Sequence, residues 1–211
     1  MDSIEKLTRM FEKFPGIGPR QARRFVQHLL SERQAIRQEL AHSIQELAKE
    51  TAQCKECFRW FVKNLPAQAS SDESRRCLIC TSTKRDRGTL FVVEKDVEIE
   101  NIERSGYKGL YFCLGGVIPL AAEETPKYVR LRELVARINE DGTKKILKEL
   151  ILGLSATAEG DHTRLLLQEK ILPIAQGFNF KISSLGRGLS TGSELEYADP
   201  DTIASALSSR Q

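Results

Sequence analysis

Four cysteines in two closely spaced pairs carry the clearest chemical signal in the sequence. Two residues separate the cysteines of each pair and 19 residues separate the pairs; the four are Cys54, Cys57, Cys77 and Cys80. Two such pairs supply the tetrahedral thiolate shell that zinc prefers, and this separation is typical of a zinc site. We expect structural zinc, because four protein ligands leave no coordination position for a substrate. The alternative is a set of buried thiols or a redox pair.

Apolar residues near these cysteines are expected to be structural. Phe58, Trp60 and Phe61 follow the first pair and are expected to form a small core around the finger rather than a surface for stacking bases. The fifth cysteine, Cys113, lies in an apolar run and is expected to be an ordinary core residue.

A basic glycine turn near the start of the chain is the second candidate site. Two glycines between two prolines permit a tight reversal between helices, and free N–H groups with the positive end of the second helix would attract a phosphate. The expected DNA contacts are Lys13, Gly16, Ile17, Gly18, Arg20, Arg23 and Arg24, with Arg20 and Arg24 on one helical face. Contacts to the backbone alone would not read base sequence. The alternative is a turn between core helices with a solvated basic face.

Acidic side chains follow two of the expected strands in the second half of the chain. Glu94 comes directly after an apolar strand, and Glu159 and Asp161 follow a later one. The carboxyl ends of parallel strands gather along one edge of a sheet, so these carboxylates could meet in space. Such oxygen donors bind Mg²⁺, but acidic residues at helix starts are also favoured by the helix dipole alone. Magnesium binding is therefore left open.

The hydrophobic pattern predicts helices for the first fifty residues and a mixed fold afterwards. Apolar residues recur at three- and four-residue intervals in three early stretches, which indicates three amphipathic helices. Later, apolar runs alternate with helical stretches, as in a parallel sheet covered on both faces. The expected strands are Leu90–Val93, Lys108–Leu114, Ile146–Leu154 and Phe180–Ser184, and the expected helices are Val97–Arg104, Tyr128–Asn139 and Thr163–Ala175. The predicted class is α/β.

Composition and charge narrow the classes of function. At 211 residues and 40% hydrophobic, the chain can bury a core, which excludes a disordered protein. Its apolar runs are far shorter than the roughly 20 residues of a membrane span, and its charged amino terminus lacks a signal sequence, so we expect a cytoplasmic protein. Residues 1–87 carry 17 Lys and Arg against 11 Asp and Glu, and residues 88–211 carry 15 against 18. This asymmetry favours a polyanion partner for the first part.

Short motifs occur in a characteristic order along nearly the whole chain. They are the Pro-Gly-Ile-Gly-Pro turn, the two cysteine pairs, Val92-Val93-Glu94, Gly109-Leu110-Tyr111, Leu114-Gly115-Gly116, Glu159-Gly160-Asp161, Arg187-Gly188-Leu189 and Leu195-Glu196-Tyr197-Ala198-Asp199. In this order they resemble the RecR family of bacterial recombination mediator proteins. The resemblance implies a helix-hairpin-helix region over 1–53, a four-cysteine zinc finger over 54–80, a Toprim domain over 88–184 and a carboxyl-terminal arm and helix over 185–211.

The resemblance also implies a function without catalysis. Proteins of this family act in homologous-recombination DNA repair with RecO, and in some pathways RecF, to help RecA replace single-strand-binding protein, and they assemble into tetrameric rings that can encircle DNA. By motif, Arg20 and Arg24 match the basic hairpin positions. Glu94, Glu159 and Asp161 match the Toprim acidic positions, and Glu159 would lie near the surface associated with RecO.

Two other functions stay open beside this one. Toprim carboxylates also serve Mg-dependent phosphoryl-transfer enzymes such as nucleases and primases. Against a topoisomerase, none of the four tyrosines has an activating context. Against a nuclease, glutamate stands in the first place of the pair Glu159-x-Asp161, which is of the Asp-x-Asp kind. The third function is a zinc-stabilised scaffold that does not retain DNA. The chain departs from the family pattern in a longer finger loop around Pro66 to Ser74 and in Phe112, where histidine is common.

Overall fold

Two compact units make up the protein, residues 1–51 and residues 52–211. The computed structural model describes residues 1–63, 75–189, 191–192 and 194–208. The cysteine pairs and the parallel sheet lie in the same unit. The longer finger loop expected from Pro66 to Ser74 lies outside the described residues. No helix among those described is both long and apolar enough to cross a membrane.

Three helices form the first unit, as the apolar spacing predicts. They are α1 (Ser3–Phe11), α2 (Pro19–Ser31) and α3 (Gln34–Glu50). The Asp2 side chain caps α1 by accepting a hydrogen bond from the Glu5 N–H at 2.8 Å. The guanidinium of Arg37 donates to carbonyl oxygens at the end of α2, including that of Glu32 at 2.5 Å. A cation at this position satisfies carbonyl groups that have no partner within the helix.

Apolar side chains pack α1 against α2. The rings of Phe11 and Phe25 meet edge to face with their centroids 5.6 Å apart. Ala22 and Val26 are buried beside them. Helix α2 is therefore amphipathic, as the apolar spacing predicts.

The second unit combines a small two-stranded sheet with a larger parallel one. Its elements, which begin at the boundary residue Thr51, are β1 (Thr51–Gln53), β2 (Trp60–Val62), α4 (Leu78–Thr81), β3 (Asp86–Val93), α5 (Glu98–Arg104), β4 (Gly109–Cys113), α6 (Leu131–Thr143), β5 (Glu149–Gly153), α7 (Ala158–Phe178), β6 (Lys181–Ser184), a 3-10 turn (Leu195–Tyr197) and α8 (Pro200–Ser208). Strands β1 and β2 pair with each other, and the larger sheet has the order β4-β3-β5-β6. All three pairings in it are parallel. The predicted α/β fold with a parallel sheet is confirmed.

The two faces of the parallel sheet bury different side chains. Leu90 and Val92 of β3 pack on one face with residues of α6 and α7, such as Leu134 and Ile171. The intervening residues Phe91 and Val93 pack on the other face with Tyr111, Cys113 and Ile99 of α5. This alternation follows from the two-residue period of a strand. Cys113 is a buried core residue, as expected.

The order of the strands places a candidate site at one edge of the sheet. The chain leaves β3 for β4 on one side and later returns to β5 on the other side, so the strand order reverses around β3. Clefts form at the carboxyl ends of strands at such a switch point. Glu94, the residue after β3, lies at this point and is only 7% exposed.

Helices α6 and α7 begin three or more residues away from their predicted starts. Helix α7 begins at Ala158 rather than Thr163, because the Thr157 side chain accepts a hydrogen bond from the Gly160 N–H at 3.1 Å and caps the helix there. Helix α6 begins at Leu131 rather than Tyr128. The N–H of Arg130 donates instead to the carbonyl oxygen of Leu114 at 2.8 Å, which ties the preceding residues to the loop after β4.

We expect Gly115→Ala to lower the free energy of unfolding by about 2 kcal/mol or more. Gly115 has a φ of +102°, and a Cβ atom there would lie 2.1 Å from the carbonyl oxygen of Tyr128. Chemical denaturation would measure the change. The matched control is Gly177→Ala in α7, where a Cβ atom meets nothing within 4 Å. That replacement should raise stability by about 0.5–1 kcal/mol, and equal effects of the two variants would contradict the prediction.

Candidate metal centre and nucleic-acid interface

The structure brings the four predicted cysteine ligands together. Their Sγ atoms all lie within 4.8 Å of one another, and all four residues are buried. The Sγ atoms of Cys57 and Cys77 are 3.6 Å apart. A tetrahedral shell with metal–sulfur bonds of about 2.3 Å places its sulfur atoms about 3.8 Å apart, whereas a disulfide needs about 2 Å. The cluster therefore fits a tetrahedral metal ion such as zinc.

Two tight turns present these sulfur atoms. We call residues 54–57 the first knuckle and residues 77–80 the second knuckle. In the first, the Phe58 N–H donates to the Cys54 carbonyl oxygen at 2.9 Å, and Phe58 takes the left-handed conformation with φ 60°. In the second, Cys77 is the N-cap of the short helix α4. The Cys77 N–H donates to Cys54 Sγ at 3.4 Å, which joins the two knuckles.

The close approach of the sulfur atoms shifts the pKa values of the Cys54 and Cys57 thiols in opposite directions. Hydrogen bonding with Cys57 holds the pKa of the Cys54 thiol far below its usual range. The same interaction with Cys54 raises the pKa of the Cys57 thiol far above its usual range. Thiols that share protons in this way cannot all ionise unless a cation lies among them, and a bound metal would supply that charge.

The expected aromatic core of the finger is only partly present. Phe61 packs against the cysteine cluster. Phe58 packs instead on the main sheet, with its ring centroid 5.3 Å from that of Phe112. The expectation is wrong for Trp60, which is 59% exposed. Alternation along β2 explains the difference, because Trp60 and Val62 face outward while Phe61 faces inward.

The basic hairpin has the geometry of a phosphate site. Gly16 has a φ of +76°, which glycine adopts without strain, and Pro19 is the first residue of α2. The N-cap residue is Gly18, which has no side chain to cap the helix. The first-turn N–H groups of α2 therefore remain available to an anion, and the helix dipole favours negative charge there.

Three arginines of α2 lie along one groove of about 740 Å³. Arg20, Arg23 and Arg24 line it together with Glu12 and Gln27. The remaining predicted residues, Lys13, Gly16, Ile17 and Gly18, lie in or beside the turn, where all but the half-buried Ile17 are exposed. In the part of the chain that the structure describes, neither Lys13 nor Arg20 nor Arg23 forms an ion pair. Their charge is available to a polyanion.

The first of the three predicted acidic residues, Glu94, is held by the protein backbone. Glu94 is buried at the carboxyl end of β3, and its Oε1 accepts a hydrogen bond from the Ser155 N–H at 2.5 Å. Its own N–H donates to Glu98 Oε2 at 3.0 Å. Ser155 lies just after β5, so this hydrogen bond ties together the ends of two neighbouring strands.

The second acidic position is neutralised by two arginines. Asp161 Oδ2 accepts a hydrogen bond from Arg187 Nη1 at 2.9 Å, and its Oδ1 accepts one from Arg164 Nη2 at 3.1 Å. The Arg187 guanidinium holds the pKa of Asp161 at about 2, below its ordinary value of 3.8. Glu159, in the first turn of the same helix, is exposed.

The three carboxylates do not form a compact ligand set. Within the described residues, the four cysteines are the sole group of three or more metal-ligating side chains whose donor atoms lie within 4.8 Å of one another. The sequence shows Arg187 only as part of a tail motif. Its pairing with Asp161, 26 residues earlier, has no signal in residue spacing, because the arm reaches the helix through the fold.

A basic helix-hairpin-helix, a buried cluster of four cysteines and a Toprim-type parallel sheet define the class of this protein. Family models match its parts: the RecR helix-hairpin-helix at residues 4–48, the Toprim domain at residues 88–184 and the RecR carboxyl-terminal region at residues 188–211.

Whole-chain relatives point to one family within this class. The recombination protein RecR of Chlorobaculum parvum is 34% identical over 99% of this chain and 96% of its own length. The RecR of Ehrlichia canis is 36% identical over 98% of this chain and 97% of its own. That of Bacteroides thetaiotaomicron is 35% identical over 98% and 92%. The chain belongs to the RecR family.

Replacing Cys57 by serine should abolish stoichiometric metal binding and lower the melting temperature, because one ligand of the cluster is lost. Elemental analysis of the purified protein and thermal unfolding would measure both effects. The control is Cys113→Ala, which removes a buried sulfur atom outside the cluster. It should lower stability without changing metal content. Full metal content in the Cys57 variant would contradict the assignment.

We expect Arg187→Gln to raise the pKa of Asp161 from about 2 towards 3.8. A carboxyl group whose pKa is depressed by folding stabilises the protein above its unfolded pKa, and that contribution is lost as the pH falls through the folded pKa. The pair should therefore hold the arm above about pH 4 and release it as the pH falls towards 2. Carboxyl-carbon NMR would follow the titration, with Arg104→Gln as the control. An unchanged Asp161 titration in Arg187→Gln would refute the pairing.

Proposed function

We propose that this protein is a non-enzymatic, DNA-binding recombination mediator in homologous-recombination DNA repair. The observation that carries the proposal is the groove in which Arg20, Arg23 and Arg24 lie together beside the uncapped start of α2. Membership of the RecR family supports the same role.

Binding at this groove is proposed to be independent of base sequence. Arginine side chains and helix N–H groups contact phosphate oxygens, which are the same at every nucleotide. The charges of Arg20 and Arg23 are exposed and can replace counterions condensed on DNA. Release of those counterions makes the affinity fall steeply as salt is added.

The metal of the cysteine cluster is proposed to be zinc, with a structural role. Cys54, Cys57, Cys77 and Cys80 would hold it and leave no position for a substrate. The ion would supply the positive charge that four thiolates need and would close the two knuckles. Reduced thiols used as ligands suit a protein that acts in the cytoplasm.

The partners that we propose are inferred from membership of the RecR family. We propose that the protein acts with RecO, and in some pathways RecF, to help RecA replace single-strand-binding protein on DNA. Glu159 supports a partner surface at the Toprim domain, because it is exposed at the start of α7. A carboxylate at this position is available to a basic partner.

Self-assembly into a tetrameric ring is proposed from two apolar surfaces. Side chains of α1, α2 and α3 line a groove of about 710 Å³, and among them Ile4 and Ile44 are 43% and 61% exposed. In the carboxyl-terminal arm, Leu195 and Tyr197 are exposed as well. Two separate surfaces that each bury themselves against a second copy of the chain can link four copies in a closed assembly.

Catalysis by Mg²⁺-dependent phosphoryl transfer is the alternative, and the Toprim site supports it less well. Glu94 is engaged by the Ser155 N–H, and Asp161 by Arg164 and Arg187. Both carboxylates thus already accept hydrogen bonds from the protein. We propose that this edge of the sheet recruits partners.

Replacing both Arg20 and Arg24 by alanine should weaken binding to a labelled oligonucleotide about tenfold or more. Each phosphate contact that is lost should also reduce the slope of log affinity against log salt by about 0.7–0.9. Fluorescence anisotropy over a range of salt concentrations would measure both. The control removes two exposed cations of the second unit, Arg104 and Lys144, by the same replacement. Binding that ignores salt, or equal losses in the two double variants, would contradict the proposed function.

A further inference from the structure

Glu56 lies between two of the metal ligands and inside a cluster of arginines. It belongs to the first knuckle, where Cys54 and Cys57 flank it at short distance in the chain. Its Oε1 is 2.7 Å from Arg76 Nε. Its Oε2 is buried and lies 3.9 Å from Arg137 Nη1. The carboxylate thus forms ion pairs with guanidinium groups on two sides, while its Oε2 and the Nε of Arg76 are buried and make no hydrogen bond within the described residues.

Arg137 reaches this carboxylate from the Toprim domain. It lies on α6, and only 12% of its side chain is exposed. Its Nε is 2.6 Å from Asp141 Oδ2, one turn later on the same helix. Its Nη1 donates to the Glu56 carbonyl oxygen at 3.3 Å. Because Asp141 fixes one edge of the guanidinium, the other edge is directed at the first knuckle.

The second knuckle is held in the same manner. The carbonyl oxygen of Cys80 accepts hydrogen bonds from Arg76 Nη2 at 3.1 Å and from Arg87 Nη2 at 3.0 Å. Arg87 belongs to β3, a central strand of the parallel sheet. Arg76 therefore contacts both knuckles, through Glu56 of the first and Cys80 of the second.

Charge gives these contacts a role beyond packing. Four thiolates around a divalent ion would carry a net charge of −2, and this charge would be buried, because all four cysteines are buried. The guanidinium groups of Arg76, Arg87 and Arg137 outnumber the carboxylates of Glu56 and Asp141 by one. A surplus of positive charge beside the ligands favours the metal-bound form, since buried charges need nearby partners.

We propose that Arg137 and Arg76, acting through Glu56, are positioning residues for the metal centre that couple its affinity to the Toprim fold. The pair holds the two knuckles at the separation that a tetrahedral ion needs. Part of the binding free energy of the metal is then stored in contacts with α6. This inference rests on the proposed metal site.

The test measures zinc affinity by competition with a chromophoric chelator, using the full-length protein. Arg137→Gln should lower the affinity about 10- to 100-fold, the usual effect of removing a partner that orients a metal ligand. Arg137→Lys keeps the charge but not the fixed pair of donor directions, and it should recover part of the loss. The matched control is Arg132→Gln on the exposed side of α6, which should bind zinc as the unaltered protein does.

A double-variant cycle separates positioning from general destabilisation. Glu56→Gln and Arg137→Gln should each lower zinc affinity, and the two together should lower it by less than the product of the single effects. Cobalt(II) absorption would report in parallel whether the ligand shell stays tetrahedral. Circular dichroism of the metal-free variants shows whether Arg137→Gln has a folding defect. If it has one, the zinc affinities of Glu56→Gln and Arg137→Lys alone test the coupling.

The possible outcomes distinguish this inference from the function on which it rests. Tight zinc binding by the unaltered protein, with affinities of the Arg137 and Glu56 variants within about threefold of it, would overturn the coupling and leave the metal site intact. Independent, multiplicative losses would also overturn it. Failure of the unaltered protein to bind zinc would remove both the metal site and the coupling.

Discussion

Four buried sulfur atoms cannot all be thiolates without a cation among them, and this constraint organises the larger unit of the protein. The sulfur atoms come from two short knuckles that have little core of their own. Each knuckle is therefore fastened to the Toprim domain: the Cys113 N–H of β4 donates to the Cys57 carbonyl oxygen at 2.8 Å, and Arg87 of β3 donates to that of Cys80. The finger and the sheet therefore belong to one compact unit, joined by these hydrogen bonds.

Charge is arranged in opposite ways at the two candidate binding regions. On the hairpin, exposed arginines face a groove where a phosphate backbone can supply their counter-charge. At the carboxyl edge of the sheet, Asp161 already has its counter-charge in Arg164 and Arg187. The charge of the first surface suits a polyanion. A metal ion would bind less favourably at the second site, since it would have to displace the arginine side chains that already pair with Asp161.

Patterns of short period predicted the elements and most of the residues that do chemistry. Spacing of apolar residues identified all three helices of the first unit and the four strands of the parallel sheet, because helix and strand periods are set locally. Spacing also identified the cysteine cluster, because each pair must share one turn of chain. The prediction was wrong for Trp60, since facing inward or outward depends on which side of β2 meets the core.

The sequence by itself determined the class of fold, the cysteine cluster and the basic hairpin, because in each of these the interacting residues lie within a few positions of one another or follow a regular period. Only the tertiary structure decided which distant charges meet. Arg137 lies 81 residues after Glu56 along the chain, and Arg187 lies 26 after Asp161. Such pairs form when the sheet and its helices bring their ends together, and a contact set by the path of the chain leaves no mark in residue spacing.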